Sequence, residues 1–203
     1  MAEVLELPAA QVLYWPQWLA ASECSALFES LRRELDWRQD ELHLFGKRHA
    51  LPRLQAWHGD AGAGYSYSGM SLEAEPWSAT LEQLRAAVTE QVRSQLPEAR
   101  FNSVLANLYR HGRDSNGWHA DDEPELGERP VLASLSLGAT RRFRLRHRQG
   151  AQESVSLDLA AGSLLVMYGD TQAAWQHCIP KTARAVGERI NLTFRQVQIS
   201  ASG

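Results

Sequence analysis

Hydrophobic and polar positions alternate with a period of two along most of the second half of the chain. In "RINLTFRQV" (189–197), Ile190, Leu192 and Phe194 share one face, and the residues between them are polar. This period is typical of β-strands, whose successive side chains point to opposite faces. Similar segments recur from residue 101 onward, at 101–110, 131–138, 141–147 and 154–159, and residues 162–169 form a continuous apolar strand segment. Six or seven short strands at regular spacing predict a β-sandwich, barrel or jelly roll.

The first hundred residues contain two segments with helical periodicity. Residues 19–35 place Leu27, Phe28, Leu31 and Leu35 on one stripe, and we expect the helix to be capped near Ser22. Residues 75–96 predict a second helix with Pro76 in its first turn. We expect short strands and loops between them, and both helices to pack as supports on one sheet. The chain is expected to form a single domain, 1–203. Residues 1–100 would give helical support, and residues 101–198 the core.

Composition restricts the functional classes. The chain has 203 residues, of which 44% are hydrophobic and 22% charged. No run of 18 apolar residues occurs, so we expect no membrane segment. The start of the chain lacks a basic region and does not resemble a signal peptide. Cys24 and Cys178 are too few for a disulfide framework, which favours a reducing compartment. We expect a bacterial cytoplasmic protein, or a nuclear one if eukaryotic, that acts as a monomer.

Charge is distributed unevenly. The net charge of −3 argues against a dedicated nucleic-acid binder, which is usually basic. However, "TRRFRLRHR" (140–148) contains five arginines and no acid. Such a local patch can attract a polyanion, or it can be a solvated edge strand that resists aggregation.

The tetrapeptide pattern Trp-His-x-Asp occurs twice, at 57–60 and 118–121. A His and an Asp two residues apart in extended backbone share a face, and a distant second His completes the ligand set of many non-haem Fe(II) oxygenases. The first copy precedes a Gly-rich turn and leads to no suitable partner, so a loop hydrogen bond is expected there. The second copy supplies His119 and Asp121, and His177 follows a predicted strand 58 residues later.

Two arginines favour the second copy. Arg189 and Arg195 lie on the polar face of a strand whose other face is apolar, and buried arginines require an anion. The planar guanidinium matches a carboxylate, such as that of the co-substrate 2-oxoglutarate. Asn107 and Tyr109 share a face and would add polar contacts. The alternative is a surface His–Asp hydrogen bond with solvated arginines.

At these residues the sequence resembles the AlkB-type Fe(II)/2-oxoglutarate dioxygenases, and most of all the branch that repairs alkylated bases in duplex DNA. The resemblance extends from about residue 44 to 197. Its most specific element is "RINLTFR" (189–195). The other matching motifs are "LFGK", "LPRLQA", "GDAG", "YSYSG", "FNSVLANLY", "DSNGWHADDE", "SLSLGATRRFRLRH", "GSLLVMYG" and "QHCIPK".

The resemblance implies a mainly β fold with flanking helices: a double-stranded β-helix, or jelly-roll, core with N-terminal helices and a nucleotide-recognition lid. It implies Fe(II) held by His119, Asp121 and His177, with 2-oxoglutarate and O2 as co-substrates. The 2-oxoglutarate contacts implied are Asn107, Tyr109 and Arg189 at the distal carboxylate, Thr193 and Arg195 nearer the metal, and the ligand His177 itself.

The substrate implied is a flipped base in DNA. Tyr67 would stack on the base opposite His119, and Phe45 would fill the gap that the extruded base leaves. The other implied substrate contacts are Gly46, Lys47, Tyr65, Ser66, Asp122 and Glu123. Phosphate contacts are implied for Lys47, Arg53 and the arginines of 141–148.

The implied reaction is oxidative demethylation of 1-methyladenine and 3-methylcytosine in single- or double-stranded DNA, with release of formaldehyde, succinate and CO2. Two alternatives stay open: the same iron chemistry on RNA or a protein side chain, and a non-catalytic β-sandwich that binds nucleic acid. The chain departs from the duplex-acting branch in its acidic net charge, in Arg48 after "FGK", and in "AWHGD" (56–60), which has Trp-His where a Tyr is usual.

Overall fold

The computed structural model of the protein describes residues 2–44, 47–67, 70–150 and 154–199. Residues 42–44, 47, 65–67 and 70–72 are described by their backbone alone. Phe45 and Gly46, both predicted substrate contacts, lie outside the described residues. No helix in the described ranges is long and apolar enough to span a bilayer.

Strands make up most of the regular structure. The strands are β1 (Glu3–Leu7), β2 (Ala10–Trp15), β3 (Glu41–Leu44), β4 (Lys47–Ala50), β5 (Leu54–Gly59), β6 (Tyr65–Tyr67), β7 (Met70–Leu72), β8 (Ser103–Tyr109), β9 (Asn116–His119), β10 (Leu132–Gly138), β11 (Arg141–His147), β12 (Val155–Leu159), β13 (Leu164–Tyr168), β14 (Trp175–Ile179) and β15 (Arg189–Arg195). The helices are α1 (Ala21–Glu34), α2 (Ala79–Arg93), α3 (Thr171–Ala174) and a 3-10 turn, Pro124–Leu126. The predicted mainly β fold with flanking helices is confirmed.

Two antiparallel sheets build the core. The larger sheet has the order β1-β2-β13-β10-β15-β8-β5, and the smaller has the order β12-β11-β14-β9. Strands β3 and β4, and strands β6 and β7, form separate two-stranded hairpins. Apart from the pairs β1-β2 and β11-β12, adjacent strands are not consecutive along the chain, so each sheet is assembled from distant segments.

The two faces of the larger sheet have different partners. Val104, Ala106, Ile190, Leu192 and Phe194 face a cluster that includes residues from both long helices. The predicted packing of the helices on one sheet is therefore confirmed. The opposite face joins apolar residues of the smaller sheet, among them Phe143 and Leu145 of β11. The polar residues of β15 lie on this inner face, between the sheets.

Both long helices begin elsewhere than the sequence predicts. The N-cap of α1 is Ala20, not Ser22, and the Glu23 carboxylate accepts a hydrogen bond from the Ala20 amide at 3.0 Å. Helix α2 begins after Ser78, whose hydroxyl accepts from the Leu81 amide at 3.2 Å. Pro76 therefore precedes the helix. Both errors arise because an N-cap depends on which side chain can reach a free amide, and several residues near each start qualify.

The N-terminal segment extends the larger sheet. Strand β2 pairs with β13, and β1 forms the sheet edge beyond it. Strand β5 pairs with β8 and forms the opposite edge. Strands from the first sixty residues therefore flank the central strands of the second half.

Candidate metal centre and anion pocket

Strand pairing brings the two predicted histidine ligands together. His119 is the last residue of β9, and His177 lies directly opposite it on β14. Their ring centroids are 4.2 Å apart. Asp121 follows two residues after His119, beyond the end of the strand. The ligand atoms of the three residues all lie within 4.8 Å of one another.

The protonation of both histidines suits metal binding. Nδ1 of His119 lies 2.8 Å from the Gly117 carbonyl, to which it donates, so Nε2 carries the lone pair. Burial, together with the smaller effect of the neighbouring His119, lowers the pKa of His177 to about 3. Burial also lowers the pKa of His119. Both rings are therefore neutral at physiological pH, which is the state that binds a metal.

Asp121 is ionised despite being buried. Burial alone would raise the pKa of its carboxyl, but the charge of Arg195 helps to lower it below the ordinary value. Nη2 of Arg195 donates to Asp121 Oδ1 at 2.9 Å. Asp121 Oδ2 lies 3.7 Å from His177 Nε2. One carboxylate oxygen is thus held by Arg195, while the other faces the two imidazoles.

Arg189 is a fully buried cation on β15, and no ion pair with a carboxylate is found for it among the described residues. Nη2 donates to Ser136 Oγ at 2.9 Å and to Asn191 Oδ1 at 2.8 Å. Nε and Nη1 have no well-formed hydrogen bond among the described residues. Burial lowers the pKa of Arg189 to about 10, and the nearby Tyr109 partly offsets this effect. Such a guanidinium costs several kcal/mol to bury and suits a bound carboxylate.

A network of neutral side chains surrounds Arg189. Asn191 accepts hydrogen bonds from Arg189 and from Ser134, and its amide donates to Thr193 Oγ1 at 2.8 Å. Tyr109 lies opposite Arg189 in the strand register, with its ring 5.3 Å below the guanidinium. Asn107 Oδ1 accepts from Arg53 and Gln55, so its amide nitrogen is the group that can donate to a carboxylate.

One cavity between the sheets connects these groups. Its lining includes the three candidate ligands, of which His177 was also predicted to contact 2-oxoglutarate, and four of the other five predicted contacts, Asn107, Tyr109, Thr193 and Arg195. The fifth, Arg189, lies next to Tyr109 and Asn191. Four further polar residues line the cavity, Arg53, Asn116, Ser134 and Asn191, and none of them was predicted to lie in the anion pocket. Alternation identifies Asn191, which shares a face with Arg189 and Thr193, but no local signal places Arg53 there.

The first Trp-His-x-Asp copy has a structural role. His58 Nδ1 lies 2.7 Å from the Pro76 carbonyl. Asp60 Oδ1 accepts from Trp77 Nε1 at 2.7 Å and from Arg85 Nη1 at 2.8 Å. Within the described parts of the chain, His119, Asp121 and His177 form the one group of three or more such residues with metal-binding spacing.

Comparison with known proteins agrees with this geometry. Residues 11–195 match the model of the 2OG-Fe(II) oxygenase superfamily. The chain belongs to this superfamily. The oxygenase is 39% identical to "Alpha-ketoglutarate-dependent dioxygenase alkB homolog 3" of Bos taurus, a match that covers 93% of the chain and 66% of that relative. It is 40% identical to "DNA oxidative demethylase ALKBH2" of Mus musculus, over 87% of the chain and 76% of that relative. The chain thus spans just under two thirds of the length of alkB homolog 3.

Solved structures show the same fold. "The structure of OsALKBH1" superposes with a TM-score of 0.60 at 19% identity, covering 95% of the oxygenase and all of that chain. A prolyl-4-hydroxylase from Pseudomonas putida also gives a TM-score of 0.60 at 19% identity, with coverage of 94% and 93%.

The donor set of the oxygenase fits the cofactors that the superfamily name specifies. Two neutral imidazoles and one carboxylate match the facial arrangement that non-haem Fe(II) prefers. The incompletely paired guanidinium of Arg189 fits the distal carboxylate of 2-oxoglutarate. The residues present therefore suit both groups.

Two predicted phosphate contacts are wrong. Arg53 is buried inside the cavity, where it donates to Asn107 Oδ1 at 2.8 Å and to the Ser115 carbonyl at 3.3 Å. Arg141 is buried too, and its Nη2 donates to the carbonyls of Asp114 and Pro180. Arg141 begins β11 and Arg53 directly precedes β5, and the resemblance that implied phosphate contacts for both did not show that these side chains turn inward.

The remaining predicted substrate residues are Asp122, Glu123, Lys47, Tyr65, Ser66 and Tyr67. Asp122 is half-exposed and ion-paired with Arg148, and neither Asp122 nor Glu123 is among the residues that line the cavity. Lys47 begins β4, and Tyr65, Ser66 and Tyr67 form β6. Their positions as substrate contacts stay predictions.

Proposed function

We propose that this oxygenase demethylates N-alkylated bases in DNA, with 1-methyladenine and 3-methylcytosine as substrates. The reaction would consume 2-oxoglutarate and O2 and would release succinate, CO2 and formaldehyde. The proposal is supported by the candidate ligands His119, Asp121 and His177 beside the incompletely paired Arg189, in a chain 38–40% identical to relatives named alkB homolog 3 and mammalian ALKBH2.

His119, Asp121 and His177 would hold Fe(II). When bound together with 2-oxoglutarate and O2, the iron supplies the oxidising chemistry that hydroxylates the methyl carbon on a base nitrogen. The chain contributes orientation: β9 and β14 fix the two imidazoles opposite each other, and Arg195 fixes the Asp121 carboxylate. Phe143 stacks on the His177 ring at 5.4 Å and limits water access from that side.

Arg189 would bind the distal carboxylate of 2-oxoglutarate through its free guanidinium edge. Ser136 and Asn191 hold the other edge, so the side chain is already oriented before the ligand binds. Tyr109 and the amide nitrogen of Asn107 would add donors, and Thr193 and Arg195 would contact the ligand nearer the metal. Preorganised donors of this kind cost little free energy to order on binding.

A methylated base would lie above His119, on the open side of the candidate metal centre. Both proposed substrates carry a positive charge, and Glu123, which follows the ligand motif, is proposed to give this end a compensating field. Asp122, which is ion-paired with Arg148, is proposed to contact the base. Tyr65 and Tyr67 on β6 are proposed to stack on and contact the base, with Ser66 beside them. Phe45, with Gly46 and Lys47, is proposed to fill the gap that the flipped base leaves.

The outer face of the smaller sheet is proposed to contact phosphates. Arg144 donates to Ser154 Oγ and Arg146 to Gln176 Oε1, both neutral partners, so their charges are not cancelled by these contacts. Exposed Lys181 and Arg184 border the same groove as Arg144. By contrast, Arg142 and Arg148 are ion-paired with Asp158 and Asp122. This local charge explains how a chain of net charge −3 would bind a polyanion.

The test is repair of defined oligonucleotides. Single-stranded DNA, double-stranded DNA and RNA, each with one 1-methyladenine, are incubated with Fe(II) and with or without 2-oxoglutarate. We expect unmodified adenine and formaldehyde in equal amounts, only when 2-oxoglutarate and O2 are present, with DNA repaired faster than RNA. Turnover of 2-oxoglutarate without repair of any oligonucleotide would overturn the substrate assignment. The monomeric state and cytoplasmic location stay predictions. Sedimentation of the oxygenase, without and with DNA, tests whether it is a monomer.

A further inference from the structure

A short buried turn lies beside the candidate metal centre. Helix α3 joins β13 to β14, and β14 carries His177. Gln172, the second residue of this turn, is 2% exposed. A buried polar side chain has to satisfy its own hydrogen bonds, so its partners indicate its role.

Gln172 connects the turn to Asp121. Its Oε1 accepts from the backbone amide of Asp121 at 3.0 Å, and its Nε2 donates to Met167 Sδ at 3.5 Å. The backbone amide can only donate, so the carboxamide oxygen has to face Asp121. The thioether sulfur is a weak acceptor and suits the remaining NH2 group. The chemistry of the two partners therefore fixes the orientation of the amide.

The backbone of Asp121 needs such a partner. Strand β9 ends at His119, and its ladder with β14 is irregular between His177 and Ile179. Asp121 thus lies beyond the strand, where no ladder bond holds its amide. Arg195 fixes the carboxylate and Gln172 fixes the backbone, so the residue is held at both ends.

The turn itself is anchored to the N-terminal strands. The Gln11 amide on β2 donates to Thr171 Oγ1 at 2.8 Å, and Gln11 Oε1 accepts from the Asp170 amide at 2.9 Å. Trp175 Nε1 donates to the Pro8 carbonyl at 2.8 Å. Gln172 is therefore presented by a rigid support.

We propose that Gln172 is a positioning residue that holds the Asp121 carboxylate at the distance and angle that the metal requires. This inference rests on the proposed metal site. Residues that orient a metal ligand through a hydrogen bond commonly change metal affinity when they are replaced.

The test compares two substitutions at one position. Gln172→Met removes the acceptor oxygen but keeps a side chain of nearly the same length. Gln172→Glu keeps an acceptor oxygen at the position of Oε1. Mn(II) affinity, measured by calorimetry in the absence of O2, is expected to fall about tenfold in Gln172→Met. Gln172→Glu is expected to bind Mn(II) at least as tightly as the wild type, because it keeps the acceptor and adds negative charge near the cation. Gln176→Met makes the same substitution on the outer face of β14 and should not change Mn(II) affinity.

A spectroscopic readout separates positioning from stability. The visible charge-transfer band of the anaerobic Fe(II)–2-oxoglutarate complex should shift or broaden in Gln172→Met and not in Gln176→Met. The third measurement, which needs no variant, is hydrogen exchange of the wild-type Asp121 amide. We expect exchange to be slow, as for a buried bonded amide.

The results distinguish the two proposals. If the wild type binds no Mn(II), the proposed metal site is wrong. If the wild type binds Mn(II) and folded Gln172→Met binds it equally well with an unchanged band, only the role of Gln172 is overturned. Equal losses in Gln172→Met and Gln172→Glu, or a wild-type Asp121 amide that exchanges like an exposed loop, would also overturn it.

Discussion

The two Trp-His-x-Asp copies have the same pattern and different surroundings. In the first, His58 bonds to the Pro76 carbonyl, and the Asp60 carboxylate is occupied by Trp77 and Arg85. In the second, His119 and Asp121 face His177, and Arg195 holds one carboxylate oxygen. Identical residue types therefore form a loop support in one place and a candidate metal centre in the other.

The difference comes from the position of each copy in a sheet. Strand β5, which holds the first copy, is an edge strand of the larger sheet, and His58 has the opposite orientation to Trp57. Strand β9, which holds the second copy, pairs with β14 and thereby acquires a histidine from 58 residues further along the chain. A short motif thus becomes a site only when the topology supplies the missing ligand and a charged partner.

The largest expected effect separates the two aspartates. Asp121→Ala removes a candidate metal ligand. Replacing a residue that only hydrogen-bonds to a ligand costs up to ~100-fold in activity, so loss of the ligand itself should lower 2-oxoglutarate turnover and base repair by more than ~100-fold. Asp60→Ala should keep most of the activity and lower the free energy of unfolding by about 1 kcal/mol, because Trp77 and Arg85 lose an acceptor. Formaldehyde release and thermal unfolding measure these effects. Similar activity losses in the two variants would show that Asp121 and Asp60 do not differ in function.

A second variant tests the anion pocket beside the second copy. Arg189→Met should raise the concentration of 2-oxoglutarate needed for half-maximal turnover by roughly 10- to 100-fold, since a charged hydrogen-bonded pair is lost. The ligand-free variant should be at least as stable as the wild type, because a buried cation without a carboxylate partner is replaced by an apolar chain. Arg32→Met, which breaks a partly exposed ion pair with Glu188, is the control and should leave the 2-oxoglutarate requirement unchanged. An unchanged requirement in Arg189→Met would remove Arg189 from the site.

Acid should destabilise the metal-free protein through His177, the histidine that lies opposite the second copy. The pKa of folded His177 is about 3, against an ordinary value of 6.5, so between these values the unfolded chain takes up a proton and the folded protein does not. The free energy of unfolding should therefore fall as pH drops below 6.5, by up to about 1.4 kcal/mol per pH unit for this group. Denaturant titrations from pH 6.5 to 5 measure the slope. His177→Asn should have a shallower slope, and an equal slope would show that His177 is not buried as a neutral ring.

The smallest effect is expected at the first copy. His58→Gln keeps a group that donates to the Pro76 carbonyl, so unfolding should change by less than about 1 kcal/mol. Mn(II) affinity should equal that of the wild type. A measurable loss of metal affinity in this variant would place the first copy in the metal site.

The strands of the second half were predictable because their alternation is strong. The buried face of β15 was visible in "RINLTFR", and it led to Arg189 and Arg195. Strands β1 and β2 were not predicted. Their polar positions do not alternate regularly, and their place in the sheet depends on pairing with the distant strand β13. Arg53 and Gln172 also gave no local signal, since their roles come from contacts 54 and 51 residues away along the chain.

The most direct test is the position of one metal ion. Crystals grown without O2 with Mn(II) and 2-oxoglutarate should show a single anomalous peak within bonding distance of His119, Asp121 and His177, with the distal carboxylate of 2-oxoglutarate on Arg189. A peak at His58 and Asp60, or no peak between the two sheets, would contradict the account.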